Sequence, residues 1–224
     1  MKIAALSSGS SSSRFIRPSN QPFEGRSLEH LIHLDKKSNP AEFSDIHATG
    51  FLHQYRVNWG GYSTVAAILS LIERALSDQE NTHFYLMSGQ CFPIKPDFQI
   101  AEIVSGNCME ILRMPVPHKP LERLTQWHFN DAFQYPTSQR IARKVLKLFP
   151  RNIAKLLRGI HPYAGQMWWL LDRPSLEAML QFVKQNTWFP EAYRWSLLPD
   201  EMFFQTLAVH VGVTADRSCP TFAK

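Results

Sequence analysis

An α/β layer fold with a largely parallel sheet is what this chain predicts. Short apolar runs suited to buried strands occur at residues 28–35 and 83–89, and an amphipathic helical pattern lies between them. Strand and helix patterns keep alternating towards the C-terminus. With 224 residues and a 44% apolar share, the chain can bury one domain-sized core.

MKIAAL at the start reads as a short first strand, and the serine run that follows it as loop. Residues 14–27 show no clean period, so 1–27 stands as a poorly interpretable N-terminal segment. LEHLIHLD (28–35) is a buried strand ending in a charged cluster, Asp35-Lys36-Lys37. Gly60-Gly61 then opens a helix over 62–77 whose Val65, Ile68, Leu69, Ile72 and Leu76 share one face. HFYLMSG (83–89) is a second buried strand and CMEILRMPV (108–116) a third. Two helical pieces separated by Pro150 follow, with Ile141, Val145, Leu148 and Phe149 on one apolar stripe and Ile153, Leu156 and Leu157 on the next. Such stripes are expected to pack on the protein's own core. An aromatic-rich strand spans 164–173, a helix runs from Pro174-Ser175 to about Asn186, and a last helix opens at Pro199 with Phe203, Phe204 and Leu207 facing inward.

The charge is local. Of 24 Lys and Arg, seven lie within 139–158 (Arg140, Arg143, Lys144, Lys147, Arg151, Lys155, Arg158), a stretch without an acid. The rest of the chain holds fewer basic than acidic residues, so the net +5 says little about the protein as a whole. Cys91, Cys108 and Cys219 have no CxxC spacing, which argues against a zinc site or a disulfide framework and favours a reducing compartment. Neither a signal-peptide core nor a membrane-length apolar run is present, so a cytoplasmic protein is expected.

Four short motifs could carry chemistry. HLDKKS (33–38) puts Asp35 at a strand's C-terminal end, where α/β sheets bind nucleotides. VNWGGYS (57–63) allows close backbone approach but matches no phosphate-loop pattern. SGQCFPIK (88–95) brings Ser88, Gly89 and Lys95 after a buried strand. LLPDEMFFQTL (197–207) sets Asp200 and Glu201 in the first turn of a helix, where the dipole stabilises an anion that can act as a general base. Neighbours at i and i+1 point apart, so these two acids do not form a hydrolase pair.

The order HLDKKS, WGGYS, SGQ-x-FPIK, PDEMFFQTL resembles glycosyltransferase family 14, the core-2/I-branching β-1,6-N-acetylglucosaminyltransferases and peptide O-xylosyltransferases. The resemblance covers roughly 28–224, taken as the catalytic domain. It implies a GT-A-like (Rossmann-like) fold, a mixed, mostly parallel sheet flanked by helices. It also implies an inverting, metal-independent enzyme without cofactor that moves GlcNAc or xylose from a UDP-sugar to a glycan or glycoprotein hydroxyl. Glu201 matches the family's catalytic base. In EILRMPVPHKPLER (110–123), Glu110, Lys119 and Arg123 match acceptor contacts, and Gly165 matches a small residue beside the acceptor site. Asp35, Ser88, Gly89 and Lys95 fall to the donor. Cys91 replaces the family's Asp, and the family's late Arg and Lys on the pyrophosphate have no counterpart before Lys224. A C-terminally truncated form with impaired activity is therefore expected, unless Lys95 or the 140–158 basic residues substitute.

Two other classes compete. The basic helices 139–158 suit peripheral contact with the inner face of a membrane, or a nucleic-acid backbone in a binding module without catalysis; for the transferase no nucleic acid is expected. A glycoside hydrolase would use Glu110 and Glu201 as its two carboxylates.

Overall fold

The computed structural model describes residues 2–9, 28–44, 48–88, 106–132, 136–146 and 148–215. Its centre is a five-stranded sheet ordered β3-β2-β1-β4-β7. Strands β1 (Lys2–Gly9), β2 (Leu28–Leu34), β3 (Gly50–Leu52) and β4 (Asn81–Ser88) run parallel, and β7 (Trp169–Asp172) pairs antiparallel with β4. The chain steps outward from β1 to β3, then returns through helix α1 (Ser63–Leu76) to β4 on the other side of β1. That reversal makes the β1/β4 boundary a Rossmann-like switch point, whose crevice lies beyond the strands' C-terminal ends.

The face of the sheet turned towards α1 is apolar, as burial under a helix requires. Ala4, Leu6, Leu31, Phe84, Leu86 and Leu171 are buried, and α1 lays Val65, Ile68, Leu71 and Ile72 among them. Helix α5 (Arg173–Gln185) packs beside α1, its start capped by the Asp172 carboxylate on the Ser175 amide at 3.0 Å. Further along lie α2 (Glu122–Thr125), α3 (Pro136–Leu146), α4 (Ile153–Leu156), α6 (Trp188–Tyr193) and α7 (Phe203–His210). Phe189, Tyr193, Phe203 and Phe204 form a continuous ring cluster under the end of the sheet.

Several expectations change. The first strand continues into the serine run as far as Gly9. Residues 108–116 are not one strand: Cys108 bridges to Leu170 in the main sheet, whereas β5 (Leu112–Arg113) pairs with β6 (Tyr163–Ala164) in a separate ribbon. The aromatic strand at 164–173 accordingly divides into β6 and β7. Pro199 opens only a 3-10 turn, Pro199–Glu201, which breaks at Met202 before α7 begins. Glu201 is therefore outside the α-helix, and the dipole argument for it lapses. The apolar stripe of Ile141, Val145, Leu148 and Phe149 is exposed rather than packed on the core.

Candidate functional site

Parallel strands deliver residues to the carboxyl edge of the sheet. Asp35 follows β2 and is buried. Its Oδ1 accepts from the amides of Lys37 at 2.9 Å and Val57 at 3.3 Å, and its Oδ2 lies 3.2 Å from the Lys37 ammonium, paired by charge rather than by an aligned hydrogen bond. Lys37 reaches on to the Val57 carbonyl at 2.6 Å. HLDKKS and VNWGGYS are thus one unit. Close by, buried His33 accepts from the Tyr55 amide, and desolvation holds its imidazole below the usual histidine range. Ser88 ends β4 at the switch point, in register with Ser8.

The WGG loop is clamped from two sides. Gly60 has φ +71°, a conformation that favours glycine, and its carbonyl accepts from the Leu198 amide at 3.0 Å. A Cβ on Gly61 would fall 2.6 Å from the carboxyl carbon of Asp131. That carboxylate takes the Ser63 amide at 2.8 Å and hydroxyl at 2.6 Å, capping the start of α1, and the Asn58 amide group at 3.0 Å. Asn130 donates to the Trp59 carbonyl at 2.8 Å and leaves the indole 79% exposed.

Leu198 carries the same clamp into the PDE turn. It adopts a left-handed backbone, φ +49°, and accepts from the Glu201 amide at 3.2 Å. The turn sends the two acids opposite ways. Asp200 is buried with an unpartnered Oδ1, and desolvation pushes its carboxyl up to about 6, helped by the charge of Glu201 and opposed by a backbone hydrogen bond and by Lys119 and Arg123. Glu201 keeps 26% of its side chain accessible. Its Oε2 is gripped by Lys119 Nζ at 2.5 Å and Arg123 Nη1 at 2.6 Å. Arg123 also donates to the His118 carbonyl at 3.0 Å, which fixes the guanidinium. Among the described residues none bonds to Oε1. A carboxylate held this way has one oxygen fixed and one free to take a proton from a hydroxyl.

Glu110 joins the same neighbourhood through the backbone. Its Oε2 accepts from the Gln166 amide at 2.8 Å, and the adjacent Gly165 amide donates to the Glu201 carbonyl at 2.9 Å. A Cβ at Gly165 would overlap the Glu110 carbonyl, so this close crossing needs glycine. The structure therefore brings Glu110, Lys119, Arg123, Gly165 and Glu201 together, with Asp35 and Ser88 on the sheet's carboxyl edge. Gly89, Cys91 and Lys95 lie outside the described residues. Among those described, no group of three metal-ligating side chains assembles.

Sequence reading missed Asp131, Asn130 and Arg151. Asp131 is 68 residues from Ser63, and nothing in its own surroundings beyond a polar Asn-Asp pair marks it. Arg151, one of the seven basic residues of 139–158, is buried, donating to the Leu124 carbonyl at 2.9 Å, the Ser196 hydroxyl at 3.0 Å and the Ala192 carbonyl.

The family model for the core-2/I-branching enzyme matches residues 8–221 of this chain. No curated protein sequence matches it significantly. A crystal structure described as a glucose-1-phosphate thymidylyltransferase from Bacillus anthracis, in complex with a sucrose, is similar over 97% of this chain and 87% of its own, at 13% identity and a TM-score of 0.42.

Proposed function

The chain belongs to the core-2/I-branching enzyme family, glycosyltransferases that take a sugar from a nucleotide sugar, and from that premise we propose an inverting, metal-independent transfer with Glu201 as the base. The reading is carried by the two-cation grip on one oxygen of an accessible carboxylate. The free oxygen removes the proton of an acceptor hydroxyl. That hydroxyl oxygen forms a bond to the anomeric carbon of a UDP-sugar while the bond from that carbon to the phosphate oxygen breaks. UDP leaves with the electron pair, and the configuration at carbon inverts.

Lys119 and Arg123 then have two tasks. They orient Glu201 before the acceptor arrives, and they donate their remaining N–H groups to its hydroxyl oxygens, while Glu110 accepts from its hydroxyls. The donor lies along the carboxyl edge, with Asp35 and Ser88 near the nucleoside. GlcNAc and xylose are the donor sugars to test first.

The decisive comparison is wild type against Glu201→Gln, with turnover followed on UDP-GlcNAc and UDP-xylose and UDP affinity measured by calorimetry. Turnover should fall by about 10²–10⁴-fold while UDP affinity is kept, because only the proton acceptor is removed. Undiminished turnover in the variant, or loss of UDP affinity with it, rejects this role.

A further inference from the structure

Helix α3 and the turn after it hold an unusual surface. Ile141, Val145, Leu148 and Phe149 are 61%, 60%, 80% and 66% exposed. Four large apolar side chains within nine residues exceed the scattered exposure normal for a soluble surface. Around the helix, half-buried Ala142 and Leu146 face the body, Ile141 and Val145 lie beside them in solvent, and exposed Arg140 and Lys144 follow on the next arc. No other described element packs broadly on α3.

The base of this surface is rigid. The Phe149 carbonyl accepts the Trp127 indole N–H at 2.8 Å. Arg151, two residues on, is buried and donates its amide to the Thr125 carbonyl at 2.7 Å, at the end of α2. The turn presenting Leu148 and Phe149 is therefore held outward by the core.

We infer that this patch docks the protein onto an anionic lipid surface. Charge complementarity selects the partner: Arg140, Lys144, Lys155 and Arg158 are exposed in the 139–158 segment, which contains no acid, while Arg151 is buried and does not count towards this face. Amphipathicity selects lipid over nucleic acid, because Ile141, Val145, Leu148 and Phe149 gain burial among acyl chains and gain little against a phosphate backbone. α3 has 11 residues, too few to span a bilayer, so a contact through it lies in the interface. α2 carries Arg123, which grips Glu201, and its Thr125 end anchors the patch. Docking would thus hold the Glu201 region close to the bilayer.

The test is co-sedimentation of the full chain with vesicles of phosphatidylcholine alone or with phosphatidylglycerol added, at low and high salt. It does not depend on the transferase reading. Strong binding is expected only to the anionic vesicles, weakening with salt. Leu148→Ser/Phe149→Ser and Arg140→Glu/Lys144→Glu should each weaken it by about tenfold or more. All four side chains are exposed, and circular dichroism checks that the variants stay folded. Three outcomes overturn the inference: no vesicle binding at either salt; duplex-DNA binding that ignores the apolar pair; or self-association abolished by Leu148→Ser/Phe149→Ser without any vesicle binding.

Discussion

At the residue scale the PDE turn separates two adjacent carboxylates by environment. Glu201 has two cations and access to solvent, whereas Asp200 is buried beside it with an unpartnered oxygen. The folded state raises Asp200 from the ordinary 3.8 to about 6. The native protein therefore binds this proton more tightly than the unfolded chain does. The resulting stability is fully present below about pH 4 and is lost as pH rises through 6, which amounts to about 3 kcal/mol between the limits. Asp200→Asn should remove that dependence, leaving the variant's melting temperature flatter than wild type between pH 4 and 7. Parallel melting curves for the two proteins across that range would contradict this origin. The place of Asp35 just after a strand and of Glu201 in a turn opened by Pro199 was legible in the sequence, because an apolar run and a proline mark those ends. Asp131 was not, because its partners come from a loop some seventy residues earlier, and folding alone brings them together.

At the scale of elements, legibility followed periodicity. α1, α5 and β4 appear within a residue or two of where their apolar patterns put them. The 108–116 run looked like one strand because an apolar stretch does not reveal which neighbour pairs with it. Here its two ends serve different sheets. The stripe on α3 was readable as a face, but a period cannot say whether that face meets a core or the outside. Arg151 shows the same gap for charge. Its buried fork, held at about 10 by desolvation, joins α2 to the segment ending in Ser196 through three acceptors. Arg151→Met strands those acceptors and should cost about 3 kcal/mol, a melting-temperature drop on the order of 10 °C. Arg151→Lys should recover less than half, since an ammonium cannot reproduce the planar fork. An unchanged melting temperature in the methionine variant would show that water replaces the guanidinium without penalty.

Over the whole molecule, alternating patterns were enough to anticipate a mostly parallel sheet, because buried strands joined by amphipathic helices have few other ways to pack. The antiparallel β7 was not readable, since strand direction depends on where the preceding chain re-enters the sheet. The assembled sheet also bears on how the donor phosphates are met. Among the described residues, the carboxylate that ends a parallel strand at this edge is Asp35, and it already holds the Lys37 ammonium and two backbone amides that tie HLDKKS to the WGG loop. Taking Asp35 for a metal would break the link that shapes the edge. Turnover of a UDP-sugar is therefore expected to survive chelation, staying within about twofold in excess EDTA. Lys37→Met should lower both stability and donor affinity by loosening the same link, whether or not a cation is present. A loss of turnover in EDTA that manganese or magnesium restores would mean that a metal meets the donor phosphates, and the metal-independent mechanism would have to be abandoned.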